Sequence, residues 1–329
     1  MNWQNQTILL TGGTGSFGQA FTNSILKKKP QSLRIFDSDE YAQFETSRKH
    51  KKKNLSYLLG RVEDKDRLYR AMQDVNVVVH AAALKQVPIL EYNPFEAVKT
   101  NILGSQNVID CAIDLGVNKV LLISSDKAVS PTNLYGATKM VAEKIFVQAN
   151  SYTGGKNTFL SVVRYGNVMA SRGSVVPTFI EQAKNNLLTV TDERMTRFWI
   201  TLEEGVKFVI RSIEEMKGGE IFIPKLPSVK IMDLARAIAP KAQIKIVGIR
   251  NGEKLHESLI SKDEARFTKD LGKHFIIEPE FVSWGNREYI NPHKGNPVDD
   301  DFLYASDSNG DWLTIPQIKQ LLKNFIKIV

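Results

Sequence analysis

Four proton-handling side chains fall within residues 124–139, SSDKAVSPTNLYGATK: Asp126, Lys127, Tyr135 and Lys139. A helix beginning near Asn133 puts Tyr135 and Lys139 at i and i+4 on one face. An ammonium beside a phenol favours the phenolate, which predicts a lowered Tyr135 pKa and a group able to accept a hydroxyl proton near neutral pH. Asp126 and Lys127 alone would read as a solvated ion pair. Between the apolar run LLISS and NLYGATK they become candidates for a second acid and base.

A second chemical signal stands near the amino end, in TILLTGGTGSFG. Gly12, Gly15 and Gly18 follow an apolar run and open a helical pattern. Their amides and the helix N-terminus can therefore approach a pyrophosphate, as in a dinucleotide site. Thr14, Ser16 and Phe17 belong to the same loop, and Lys139 is placed to hold the cofactor ribose. Asp37 closes the next apolar run nineteen residues after Gly18, where a carboxylate accepts from ribose hydroxyls and repels a 2′-phosphate. That favours NAD over NADP. Val62 follows the third run, Ala82 lies at the end of the fourth and Lys85 just after it, so all three are expected at the cofactor cleft. His80 just before them reads as a core histidine.

The elements that must carry these groups alternate. Apolar runs at 7–13, 33–37, 57–60, 77–83, 119–125 and 159–167 are separated by helical spacings. This is the pattern of an α/β, doubly wound parallel sheet of the Rossmann kind. Helices near 176–185, 201–216 and 230–239 and short strands such as EIFIP and IKIVGI follow. The expected division is 1–167 for the dinucleotide-binding domain and 168–329 mainly for a smaller α/β substrate lobe with a tail, the chain being free to cross back. The 329 residues, 42% of them apolar, suffice for such a core. No apolar run approaches the ~20 residues that span a bilayer, and no secretory leader pattern is visible, so a cytoplasmic protein is expected. Cys111 is the only cysteine and reads as packing; no metal site is expected. The net charge of +8 draws on KKK at 27–29 and RKHKKK at 48–53, read as solvated helix ends rather than a nucleic-acid surface.

With the glycine loop, the Tyr135/Lys139 spacing identifies a hydride-transfer site of the short-chain dehydrogenase/reductase type. In order along the chain, TGGTGSFG, HAAALKQVP, SSDKA, NLYGATK, VVRYGNV, SRGSVVP, MTRFWITLEEGV and GEKLHE closely resemble the nucleotide-sugar 4,6-dehydratases acting on UDP-N-acetylglucosamine. The resemblance is narrowest to the Tyr-containing, C5-inverting members that open pseudaminic acid biosynthesis. It implies oxidation at C4, loss of water across C5 and C6, and hydride return to C6, with NAD or NADP recycled in place. Lys127 would be the base at C5, Asp126 the acid at the C6 hydroxyl, and Ser125 the hydroxyl beside Tyr135. Asn167, Arg197, Arg250 and Glu253 would hold the nucleotide diphosphate and its ribose, with Lys85 a further contact. A homo-oligomer is expected, with no nucleic-acid or membrane partner.

Two positions depart from the family pattern. Relatives read S-R-D-E where this chain has Asp37, Ser38, Asp39 and Glu40, which removes an arginine suited to a 2′-phosphate. Arg61 stands where relatives carry an Asp that contacts adenine, and is expected to stack on the base instead. Three readings of function stay open: the inverting dehydratase; a C5-retaining dehydratase or 4-epimerase on the same scaffold; and a non-catalytic dinucleotide sensor.

Overall fold

The structure is a computed structural model that describes residues 1–169, 174–280 and 293–326, with the backbone of the short strands Ser283–Trp284 and Arg287–Glu288. Residues 171–173 of the SRGSVVP motif and most of the early tail lie outside the described residues.

The apolar runs form the strands of one sheet. In chain order the first half is β1 (Thr7–Thr11), α1 (Ser16–Ile25), β2 (Ser32–Asp37), α2 (Glu40–Lys49), β3 (Leu55–Leu59), α3 (Lys65–Ala71), β4 (Val77–His80), α4 (Val87–Tyr92), α5 (Pro94–Ala97), α6 (Gly104–Leu115), β5 (Lys119–Ile123), α7 (Leu134–Gln148) and β6 (Phe159–Val163). A π turn, Val98–Leu103, joins α5 to α6. Strand order is β3-β2-β1-β4-β5-β6, with every pairing parallel. β1 and β4 are buried along their whole length, because helices cover both faces and no position needs a polar side chain. The order reverses between β1 and β4, where Thr11 lies opposite His80. Such a switch point opens a crevice at the carboxyl ends of the strands.

Capping residues fix where the helices start. Asp39 accepts from the Ala42 amide at 2.9 Å and begins α2, which leaves Asp37 at the crevice. Asn133 accepts from the Gly136 amide at 2.8 Å and begins α7. Arg48 and Lys49 occupy the last turn of α2, where cations complement the helix dipole. Cys111 is fully buried. His80 lies between Thr11 Oγ1 (2.7 Å) and Ser105 Oγ (3.1 Å), and burial with Lys139 nearby lowers its pKa to about 3, so it stays neutral in the core.

After β6 the chain leaves the sheet and returns. β7 (Asn167–Val168), α8 (Val175–Ala183), β8 (Leu187–Val190), β9 (Thr196–Ile200) and α9 (Leu202–Glu215) precede β10 (Ile221–Pro224), which joins β6 in parallel. Then come β11 (Ser228–Lys230), α10 (Ile231–Ile238), β12 (Gln243–Ile246), β13 (Ser258–Ile260), β14 (Thr268–Asp270) and β15 (His274–Ile277). β15 and β14 add antiparallel strands, and Asn296–Pro297 completes a ten-stranded sheet. A second core of Phe179, Leu188, Trp199, Leu234, Ile318 and Leu322, among others, packs apart from the first. None of the described helices is long and apolar enough to cross a membrane.

One buried ion cluster ties α7 to the returning chain. Arg164, just after β6, makes a two-pronged contact with Glu143 of α7 at 2.5 and 3.1 Å and another with Glu264 at 2.9 and 3.1 Å. Its Nη1 also donates to the Leu259 carbonyl at 2.9 Å. Removing the shared cation would strand two carboxylates, one of them 2% exposed. Arg164→Met is therefore expected to cost about 3–5 kcal/mol of unfolding free energy, read from urea unfolding. A loss under ~1 kcal/mol would show the cluster to be no more than a surface-like pairing.

Candidate active site

A cleft of about 600 Å³ opens over the carboxyl ends of β1, β4 and β5. Gly12 (φ 68°) turns the chain there, and a Cβ on it would lie 2.7 Å from the Ala82 nitrogen. The loop after β4 thus rests on a turn only glycine permits. Gly15 caps α1 through its backbone alone, leaving the helix's first amides open to the cleft. Thr14, Ser16, Phe17, Gly18, Asp37, Arg61, Val62, Ala82 and Lys85 line the same space. Asp37 is already engaged: its Oδ2 accepts from the Thr14 amide (3.0 Å) and hydroxyl (2.7 Å), and its Oδ1 from the Asp39 amide (3.2 Å). A carboxylate has about four acceptor sites, so it can take a further hydroxyl while fixing the loop.

The candidate acid and base groups meet in that same cleft. Ser125 Oγ accepts from the Lys127 amide at 3.2 Å, which closes a 3₁₀ turn over Asp126–Ala128. Asp126 Oδ1 accepts from Ser125 Oγ at 2.9 Å and from Lys127 Nζ at 3.1 Å. Helix α7 lies directly on this turn, since a Cβ on Gly136 would meet the Lys127 carbonyl oxygen at 2.2 Å. That contact brings Tyr135 against Ser125 and Lys127, and sequence reading passed over the glycine that permits it.

The expected effect of Lys139 on Tyr135 is corrected by the geometry. Lys139 Nζ donates to the Ile123 carbonyl at 2.7 Å. Burial raises the Tyr135 pKa, and it outweighs the opposing pull of the Lys127 ammonium and the Ser125 hydroxyl. Lys139 itself is pushed down to about 8 by burial, with Glu143 one turn along α7 opposing the shift.

Several buried polar atoms of cleft-lining residues have no hydrogen-bond partner among the described residues: Ser124 Oγ, Asp126 Oδ2, Asn167 Oδ1 and Ser174 Oγ. Orphans are rare in folded proteins, and a cluster of them along a cleft fits a site for a polar ligand or ordered water. Asn101 on the π turn fastens the cleft's walls. It pairs with both backbone groups of Leu84 (2.8 and 2.9 Å) and donates to Thr138 Oγ1 of α7 at 3.0 Å. No sequence signal distinguished it from any other helical Asn.

The residues expected to hold the nucleotide are spread out. Asn167 lines the cleft. Arg250 and Glu253 sit 4.0 Å apart on an exposed loop, whose Gly252 carbonyl accepts from Thr132 (3.0 Å) and Asn133 (2.8 Å) beside the start of α7. Arg197 gives its guanidinium donors to the carbonyls of Thr196 (2.7 Å), Leu255 (2.9 Å) and Lys254 (3.0 Å), and is not among the residues lining the cleft. It staples the GEKLHE segment to β9.

This constellation of glycine turn, switch-point cleft and Tyr-Lys helix has known counterparts. The family described as polysaccharide biosynthesis protein matches residues 8–279. The chain belongs to that family. It is 50% identical over 331 residues to a Campylobacter jejuni member named UDP-N-acetylglucosamine 4,6-dehydratase (inverting), covering 98% of each chain. A Rickettsia bellii relative named UDP-glucose 4-epimerase is 38% identical, over 97% of this chain and 96% of that one. Among solved structures, Pen from Bacillus thuringiensis superposes with a TM-score of 0.90 at 37% identity, covering 99% of each chain. The resemblance read from the motifs holds along the whole chain.

Lys139 gives this family member a testable pH signature. Its folded pKa of about 8 lies below the ordinary 10.5. Between these values the unfolded chain binds more protons, so the penalty, on the order of 3 kcal/mol, is present in full below pH 8 and fades as pH rises to 10.5. Allowing for the lost bond to Ile123, ligand-free Lys139→Met is expected to be about 1–2 kcal/mol more stable than the parent at pH 7, with the gap closing toward pH 10. A destabilised variant whose gap ignores pH would show that Lys139 is not strained.

Proposed function

We propose that this chain is an inverting UDP-N-acetylglucosamine 4,6-dehydratase, a hydro-lyase that carries its own NAD(P). The observation that carries the reading is the Asp126–Lys127 pair on a fixed turn beside Tyr135, its carboxylate buried and its lysine side chain 26% exposed, with Asp126 Oδ2 without a hydrogen-bond partner among the described residues. The C. jejuni relative's name supports it.

The glycine cradle fits a dinucleotide, because the Gly12 turn and the open first turn of α1 leave backbone where side chains would otherwise stand. Gly12, Thr14, Gly15, Ser16, Phe17 and Gly18 would hold the pyrophosphate, Asp37 and Lys139 the riboses, and Arg61, Val62, Ala82 and Lys85 the remaining walls. Asp37 favours NAD over NADP. Bound there, the nicotinamide supplies the reversible hydride acceptor that the dehydration needs.

The chain's own residues handle the protons. Tyr135 takes the proton of the C4 hydroxyl, and its raised resting pKa means it needs the ammonium of Lys127 and the Ser125 hydroxyl to do so. A 4-keto group then acidifies C5–H, Lys127 removes that proton, and Asp126 protonates the departing C6 hydroxyl. Asn167, Arg250, Glu253 and Lys85 hold the nucleotide sugar, while Arg197 acts by fixing residues 254–257. The parallel domain of 1–167 binds the dinucleotide, joined by the strands that return to it, and the rest of 168–329 closes over the sugar. The R. bellii relative makes 4-epimerisation the second reading.

A homo-oligomer is supported by an apolar face on α4, α5, the π turn and α7. Ile89, Tyr92, Phe95, Leu103 and Met140 are all exposed there, Tyr92 by 89%, which is more than scattered surface residues explain. Light scattering is expected to give a multiple of 37.0 kDa. Tyr92→Lys with Phe95→Lys should reduce that mass; a monomeric parent would end the idea.

Proton NMR with UDP-N-acetylglucosamine in deuterated buffer, without added cofactor, tests the reaction. A new C6 methyl signal with deuterium at C5 is expected, and ring couplings after reduction should show C5 inverted. Lys127→Ala should abolish C5 exchange while leaving some C4 oxidation, and Tyr135→Phe should block that oxidation. A 4-epimer as sole product would remove Asp126 and Lys127 from their roles, and no turnover with NAD or NADP supplied would favour a sensor.

A further inference from the structure

The GEKLHE segment ends in a carboxylate with no assigned role. Glu257 is 2% exposed, and its backbone is clamped on both sides by Ser306: its amide donates to Ser306 Oγ at 3.0 Å and its carbonyl accepts from the Ser306 amide at 2.8 Å. β13 begins at the next residue and pairs with Tyr304–Ala305. The side chain is thus a negative charge held by segments far apart in sequence. Its Oε1 lies 3.4 Å from Lys127 Nζ and 3.9 Å from Arg197 Nε; its Oε2 lies 3.9 Å from Lys254 Nζ and accepts no hydrogen bond. The buried Arg164–Glu143 pair, by contrast, closes a two-pronged contact. Glu257 instead offers charge without closing a geometry of its own.

Lys127 therefore stands between two carboxylates, Asp126 at 3.1 Å and Glu257 at 3.4 Å. Burial works against its charged form, yet Asp126 and Glu257 outweigh burial and the opposing Arg197, so the Lys127 pKa rises above the lysine range. Lys254 nearby and Tyr135 on α7 complete the groups around it. The dehydration needs the opposite protonation of the resting pair: a neutral amine to accept from C5 and a carboxylic acid to donate to the C6 oxygen. Moving one proton from Lys127 Nζ to Asp126 Oδ1 supplies both. Afterwards the amine takes the C5 proton as the C5–H electron pair forms the alkene and the C6–O bond breaks. The leaving hydroxyl takes the Asp126 proton and departs as water, and the ammonium–carboxylate pair is restored. While Asp126 is neutral it cannot stabilise positive charge on Lys127. Glu257 is then the anion left facing it.

We propose that Glu257 is a positioning residue for the base: its fixed carboxylate stabilises the Lys127 ammonium as it forms and so selects the pH range in which Lys127 exchanges the C5 proton. The inference rests on the dehydratase reading, and the two fail differently. The probe is exchange of deuterium out of C5 of 5-deuterated UDP-N-acetylglucosamine during turnover, followed against pH, with cofactor reduction read separately from the nicotinamide absorbance so that the base is distinguished from C4 oxidation. In Glu257→Gln the plateau of exchange is expected at a pH lower by about 1–3 units, with cofactor reduction by the sugar retained. Glu257→Asp, which keeps the charge, should restore most of the parental profile and serves if the Gln variant folds poorly. Superposable profiles for parent and Gln variant, or an Asp variant that behaves as Gln does, overturn the proposal. A parent that makes no 4-keto product overturns the dehydratase reading first.

Discussion

Helix α7 touches the turn after β5 with no space for a side chain between them, and the site depends on that contact. Gly136 lies against the Lys127 carbonyl, so the helix carrying Tyr135 and Lys139 and the turn carrying Ser125, Asp126 and Lys127 form one rigid unit. The unit is anchored at three points. Asn133 caps its start, Asn101 ties it to the loop after β4, and Glu143 pins it to Arg164 just after β6. Each anchor is buried or partly buried, where a polar contact is strong when satisfied and costly when broken. The reacting groups therefore hold their spacing without help from a ligand.

Burial and neighbouring charge displace the pKa values of three of these groups. Tyr135 is driven up by burial, Lys139 down by it, and Lys127 up by two carboxylates despite it. A cleft that admits solvent would leave all three near their ordinary values. Here the low-polarity surroundings make each depend on its neighbour's charge, so one proton moved across the Asp126–Lys127 contact changes both sides of the pair at once. Perturbed groups of this kind cluster at active sites because chemistry near neutral pH needs them.

Much of this could be read from the chain. Uninterrupted apolar runs such as TILLT and VVVH must be buried on both faces, and the glycine triplet after the first of them locates the crevice. Asn133 was legible as a helix start because the capping preference is local. What escaped reading was set by residues distant in sequence. Gly136 looks like any helical glycine until the turn at 126–128 is seen beneath it. Arg197 reads as a free fork, yet its donors go to carbonyls near residue 255, since β9 runs beside that segment. Glu257 faces Lys127 only because 304–306 clamps the strand that begins at 258. The pull of Lys139 on Tyr135 was inferred from i,i+4 spacing, which places two side chains on one face but says nothing of the Ile123 carbonyl that captures one of them.

The relatives' names divide between dehydration and 4-epimerisation, and the energetics of the site bear on that division. Epimerisation at C4 breaks no C–O bond and needs only the Tyr135 end of the cleft. Burying Asp126 and Glu257 around Lys127 is costly by several kcal/mol per ion in principle, and Asp126 Oδ2 and Glu257 Oε2 recover no hydrogen bond in return. A scaffold that used only Tyr135 would gain nothing from keeping that arrangement, since apolar residues of similar volume would fill the space at lower cost. The proposed acid and base, exchanging roles across one contact, would give the arrangement a use. The charge cluster around residues 126, 127 and 257 is therefore the feature that favours loss of water over rotation of the sugar.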